Sequence, residues 1–331
     1  MTSSEATTLA GGVLGVAEGA VDVHSHFLPL VYRQALTGLG SDLPDNIPSL
    51  PTWSAAAQIA GMDTLGIATA ILSISSPGVL LPEREATVAL ARSVNDAGAE
   101  IVRGRPDRFG HLASLPLPHV EDSVRELERA FDELGADGIT MLTNYAGRYI
   151  GDPMFRPVLE ELDRRAAVVL VHPTAPPNHE AVSFGRMIPM LEFPFETTRA
   201  FTDLVLGGST RRFPRIRWIV SHAGAALPVL AERVAWVSRL LSSDVAGADV
   251  HAEFAKLHYD LAGTVLPTQL PALLSWVGGD RVLYGSDMTF TPVEALIPLA
   301  EQLSTTEHLS GRYRDVLRGH AELLFPRVAA R

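Results

Sequence analysis

Short apolar runs rich in β-branched residues recur along the chain, and each is followed by a longer stretch with a helical period. The runs fall at residues 21–26, 68–74, 109–115, 138–143, 168–172, 216–222, 257–261 and 281–286. The helical stretches fall at 53–65, 82–103, 120–134, 153–165, 195–212, 228–241, 267–277 and 292–303, with a last one near 309–321. Pro82, Pro153, Pro228, Pro267 and Pro292 suit first helical turns, where a missing N–H costs nothing. Gly66, Gly135 and Gly278 suit helix ends, where a left-handed residue closes the last turn. Eight strands alternating with eight helices predict an α/β chain folded as a (β/α)8 TIM barrel. A doubly wound sheet is the alternative with the same element count. The rhythm breaks at two long loop-rich stretches, 27–52 and 173–194. Both follow a strand's C-terminal end, the side on which barrel enzymes build their pockets. No linker or charge block divides the chain, so residues 1–20 are expected to be a flexible tail and 21–331 a single barrel domain.

Composition narrows the chemistry. The 331 residues include no cysteine, which excludes disulfides, thiolate metal sites and cysteine nucleophiles. Any metal must be held by nitrogen and oxygen. The net charge of −11 disfavours nucleic acid as a partner. Lys256 is the only lysine among 27 basic residues and lies among charged and polar neighbours, a poor setting for a Schiff base. No apolar run is long enough to span a membrane, and residues 1–20 lack the basic start of a signal peptide. The cytoplasm is the expected compartment.

The candidate chemistry lies at strand ends. Asp22-Val23-His24-Ser25-His26 places two imidazoles at i and i+2, on one side of the first strand. His172 ends the fifth strand, His222 the sixth and Asp287 the eighth. In a closed barrel these ends converge on one mouth. Burying so many polar groups without a partner costs several kcal/mol, and a divalent cation supplies the partner. A catalytically silent, metal-stabilised scaffold would use the same residues but gives no reason to keep them at the mouth. Asp260, late in the seventh strand, is placed to support a histidine from behind.

The order of first-strand HxH, later histidines and last-strand aspartate resembles the amidohydrolase superfamily. The chain is most similar to its decarboxylase branch, which holds the 2-amino-3-carboxymuconate-6-semialdehyde, hydroxybenzoate and 6-methylsalicylate decarboxylases. The residues that carry this are Val21 to Pro29, Ile71 to Val79, Phe131 to Gly138, Val171 to Pro177, His222 to Pro228 and Tyr284 to Asp287. The resemblance implies that His24, His26, His172 and Asp287 hold one divalent ion, zinc first and manganese as the alternative, with no organic cofactor. It implies that His222 polarises substrate or moves protons beside the ion. The bridging lysine of binuclear relatives is missing from Ile139-Thr140-Met141-Leu142-Thr143-Asn144, so one ion is expected. Gln58 stands where the muconate-semialdehyde enzymes have a carboxylate-binding arginine, which points away from a dicarboxylate.

The expected reaction is non-oxidative decarboxylation of an ortho-hydroxy aromatic acid. The ring carbon is protonated by Asp287 and carbon dioxide then leaves. The alternative is a hydrolase or hydratase using metal-activated water on a lactone, amide or unsaturated acid. Substrate contacts are expected from Phe193, Glu192 and Asn144. Arg233 would come from a partner subunit across a homodimer, alone or within a dimer of dimers. The partner molecule is thus a small aromatic carboxylic acid, with neither nucleic acid nor membrane involved.

Overall fold

The computed structural model describes residues 15–38, 43–241 and 249–329. Eight strands form one parallel sheet in chain order: β1 (Ala20–His26), β2 (Ile67–Ser73), β3 (Phe109–Ser114), β4 (Gly138–Leu142), β5 (Val168–His172), β6 (Arg217–Val220), β7 (His258–Asp260) and β8 (Val282–Leu283). The last strand returns to the first. Val23 N–H donates to Tyr284 O at 3.0 Å and His26 N–H to Met288 O at 3.2 Å. Ser25 also bridges Met288 in parallel. Sequential order with this return excludes the doubly wound alternative and makes the sheet a nearly closed (β/α)8 barrel.

Side chains from six of the strands fill the barrel. Val21, Val23, Ile71, Leu112, Val168, Leu170, Ile219 and Leu283 pack together there, and Leu324, Phe325 and Val328 from the chain's last turns join them. Strict alternation would turn Val21 and Val23 away from the side that His24 and His26 share. The β1–β2 pairing removes the conflict. Asp22 pairs Ala70 and Ser25 pairs Leu72, so β1 carries one extra residue between them. Such a bulge re-aims side chains. Apolar residues below it and both histidines above it therefore reach the interior.

Helices cover the outside, with boundaries the local chemistry explains. Ser54 caps Ala55–Leu65 by accepting from Ala57 N–H at 3.1 Å, and Gly66 ends it at φ 83°. Pro153 and Pro228 occupy first turns. Pro82, Pro267 and Pro292 instead precede helices that begin at Arg84, Gln269 and Val293. The stretch expected to be one helix over 195–212 is two, Glu192–Leu206 and Ser209–Arg212. They are parted at Gly207 and Gly208, the latter at φ 77°. The long loops hold short helices of their own, Leu30–Gly38 and His179–Ser183. Of the expected tail, residues 1–14 lie outside the described residues. Ala17 is fully buried, and Tyr313 Oη donates to Val16 O at 2.8 Å, so the chain is packed down before β1 begins.

Candidate active site

The four expected ligands meet. One ligand atom from each of His24, His26, His172 and Asp287 lies within 4.8 Å of all the others. The three imidazoles are buried, and Asp287 retains 22 % of its side-chain exposure. Each imidazole is oriented by a partner on its far nitrogen. His24 Nδ1 lies 2.9 Å from Asp260 Oδ2, His26 Nδ1 3.2 Å from Ser73 O, and His172 Nδ1 2.7 Å from Pro173 O. All three Nε2 atoms then face the centre, as outer hydrogen bonds do in metal sites.

Asp287 gives each oxygen a different neighbour. Oδ1 is 3.1 Å from His26 Nε2 and 3.7 Å from His24 Nε2, whereas Oδ2 is 3.7 Å from His222 Nε2. Oδ1 is buried yet aligned with no hydrogen-bond donor among the described residues. A carboxylate oxygen left without a donor amid three imidazole nitrogens fits a divalent cation, which would accept all four donors at once.

Electrostatics agree with that fit. Burial pushes the His172 and His26 imidazoles below the ordinary value, so both keep a free lone pair at neutral pH. Burial alone would do the same to His24, but the Asp260 carboxylate outweighs it and raises His24. The same carboxylate makes His24 a more basic ligand. Burial would raise Asp287, yet the imidazoles of His222, His26 and His24 gathered around it hold it well below the usual carboxylate range.

The backbone is bent to deliver these groups. His222 does not extend β6, which ends at Val220. It sits in a short turn at φ 56°, followed by Ala223 at φ 51°. Its N–H is held by Asp260 Oδ1 at 2.9 Å, so one carboxylate positions both His24 and His222. Asp287 is also left-handed at φ 60°. Non-glycine residues rarely adopt this conformation, and such strain gathers at functional sites. Asp22 ties the two ligand-bearing segments together, accepting from His24 N–H at 3.1 Å and Ser286 N–H at 3.0 Å.

Above the cluster opens a cavity of about 480 Å³, lined in part by His172, His222 and Asp287 and by the rings of Phe193, Phe195 and Phe290. Phe193 stands edge-on to His172, with centroids 5.8 Å apart. The other expected contacts lie elsewhere. Glu192 is buried in the first turn of Glu192–Leu206 and does not line the cavity. Asn144 spends its amide on Glu196 Oε2 at 2.9 Å and Ala175 O at 3.2 Å, fastening the loop after β4 to that helix. Arg233 is exposed on Leu227–Leu241 and does not reach the cavity of its own chain. Gln58 donates to Ser25 Oγ at 2.8 Å and accepts from Trp53 Nε1 and Thr289 Oγ1, a packing role. Lys256 pairs with Glu253 on the surface. Sequence reading missed Asp45, Ser75, Ser76 and Gln269 in the lining. Only the placement of residues 27–52 after β1 hinted at Asp45.

The amidohydrolase family model matches residues 21–315. This chain belongs to the amidohydrolases. It is 35% identical over 317 residues to a 6-methylsalicylic acid decarboxylase of Penicillium expansum, covering 93% of this chain and 96% of the relative. A 2,6-dihydroxybenzoate decarboxylase from Rhizobium has a solved structure that superposes with a TM-score of 0.81 at 25% identity, over 93% of this chain and 99% of that one. A dihydroxybenzoic acid decarboxylase from Polaromonas, solved with manganese and 2-nitroresorcinol, shares the fold at a TM-score of 0.82 and 23% identity, over 93% and 97%. This amidohydrolase is a carbon–carbon lyase of the decarboxylase branch, with a His/Asp group suited to a metal ion. Among the described residues no helix is long and apolar enough to cross a membrane.

Proposed function

We propose that this amidohydrolase removes carbon dioxide from an aromatic acid bearing a hydroxyl ortho to its carboxylate, of the 6-methylsalicylate or dihydroxybenzoate type. The observation that carries this reading is the His24–His26–His172–Asp287 cluster beneath an aromatic-lined cavity, in a chain so similar to a 6-methylsalicylic acid decarboxylase. Direct loss of carbon dioxide would leave an aryl carbanion. Protonating the ring carbon first avoids it.

When bound, a divalent ion supplies Lewis acidity and a docking point for the carboxylate and the ortho oxygen. Three imidazoles suit zinc, and manganese is the alternative. Asp287, held as a carboxylate, takes the proton of the ortho hydroxyl and hands it to the carbon that bears the carboxylate. The C–C bond then breaks, its electron pair restores the aromatic ring, and carbon dioxide leaves. His222, beside Asp287 Oδ2, carries protons to and from that carboxylate. Phe193 and Phe290 hold the ring plane and keep water away. Arg233 of a second subunit reaches the substrate across a homodimer. The described part of residues 21–331 serves as the single barrel domain that holds all of this.

The test is to incubate the metal-loaded protein with a panel of 2-hydroxybenzoates and follow carbon dioxide. Release from at least one is expected. A silent panel together with turnover of lactones or amides would overturn the reading in favour of hydrolysis.

A further inference from the structure

The cavity wall away from the cluster carries one more ionisable group. Asp45 lines the cavity together with Ser75 and Ser76. Ser76 donates to the Asp45 carboxylate, and Ser76 Oγ lies 2.8 Å from Thr174 Oγ1. A carboxylate has more acceptor sites than one hydroxyl fills, and this one lines the cavity. Burial pushes the Asp45 carboxyl up to about 6, against Ser76 and the charge of His179. It is therefore an anion at pH 7.5.

The turn that presents this carboxylate is fixed. Asp45 sits at φ 58° and Asn46 at φ 55°, a left-handed pair that aspartate and asparagine tolerate best. Asn46 Nδ2 donates to Arg186 O at 3.1 Å and so ties the turn to the loop after β5. The rest of the lining offers mostly apolar contact to a ring, so a half-buried anion here bears directly on which ring substituents are admitted.

The geometry points to Asp45 as a specificity-determining residue that accepts a hydrogen bond from a second hydroxyl on the substrate ring and excludes rings bearing a second carboxylate. This rests on the decarboxylase reading and narrows its substrate class to monocarboxylic acids with a further hydrogen-bond donor, the dihydroxybenzoate rather than the 6-methylsalicylate type. Two ionised carboxylates in one half-dry cavity repel, whereas a hydroxyl given to a carboxylate makes a charge-assisted bond.

The experiment compares metal-loaded parent enzyme, Asp45→Asn and Asp45→Gly. Both replacements accept the left-handed backbone. The substrates are salicylate, the 2,3-, 2,4-, 2,5- and 2,6-dihydroxybenzoates, and 4-hydroxyisophthalate, which is salicylate with a second carboxylate. Metal content and melting temperature are measured in parallel. Asp45→Gly should lower kcat/KM for at least one dihydroxybenzoate, relative to salicylate, by roughly ten- to a hundredfold. Asp45→Asn should raise relative kcat/KM for 4-hydroxyisophthalate by about tenfold or more. Ratios unchanged in both variants, or all substrates falling by one common factor, would overturn the assignment. A parent enzyme that neither binds nor turns over any member overturns the decarboxylase reading itself, and this inference with it.

Discussion

Asp287 is asked to do two things, and its oxygens are already divided between them, Oδ1 toward the imidazole cluster and Oδ2 toward His222. Replacing it by asparagine keeps the shape but removes the base and a ligand charge. Activity should fall by about 10²–10⁴-fold, with a parallel loss of bound metal measured by elemental analysis. His222→Gln separates the roles. In the proposed mechanism His222 serves the reaction and lies outside the four-residue ligand group, so kcat should drop by about a hundredfold while metal content stays at the parent level. Asp260 makes a third case. It touches no substrate, but it holds both His24 Nδ1 and the His222 backbone. Asp260→Asn should weaken metal binding by about ten- to a hundredfold in a chelator competition. An unchanged affinity would reduce Asp260 to a packing residue.

The strand ends were the legible part of the molecule, because β-branched runs closing on His24, His26, His172, His222 or Asp287 are visible in a single pass along the sequence. What stayed hidden depends on neighbours the sequence does not order. The extra residue between Asp22 and Ser25 appears only against β2, and the turn that swings His222 out of β6 depends on Asp260, 38 positions later. Asn144 follows β4 and so belongs to the pocket by position, and only the packing of Glu196 shows where its amide is spent. Helix Arg84–Gly104 against β3 gives another packing that composition conceals. A Cβ at Gly98 would lie 2.4 Å from the His111 ring, which is buried. On an open helix Gly→Ala stabilises by about 1 kcal/mol. Here Gly98→Ala should instead cost about 1–3 kcal/mol, read as a lower melting temperature. Burial, with Arg327 adding to it, lowers His111 from 6.5 to about 4. The unfolded chain therefore binds more protons between those values, and stability falls as pH drops from about 6.5 to 4 and levels off below. The full contribution is about 3 kcal/mol. His111→Leu should flatten this part of the stability–pH curve in urea unfolding, whatever it does to stability at pH 8.

At the scale of the whole molecule, the question is how a chain of net charge −11 gathers an anionic acid. Among the described residues the cavity's lining contains no arginine or lysine. The candidate metal ligands contribute one carboxylate and Asp45 another, so a positive group lent by a second copy of the chain would help to hold the acid. Arg233 is exposed on Leu227–Leu241, and the same helix exposes Val229 at 70 %, Trp236 at 57 % and Leu240 at 62 %. These positions, spaced by four, three and four residues, share one helix face. An apolar stripe around an arginine suits the contact between two copies of the chain. If Arg233 acts across that contact, two inactive variants should rescue each other. Asp287→Asn keeps its arginine but has a dead site, whereas Arg233→Ala keeps its site but lacks the arginine. In a mixed dimer the second protomer's site receives Arg233 from the first, and one site of the two regains full activity. Random mixing after mild dissociation should then recover about one quarter of parental turnover, since half the dimers are mixed. If Arg233 served its own site, each mixed dimer would still hold one site without Asp287 and one without the arginine. Turnover would stay at the level of the separate variants. Trp236→Glu adds an independent reading, because sedimentation should show a monomer whose KM is raised while its metal content is unchanged.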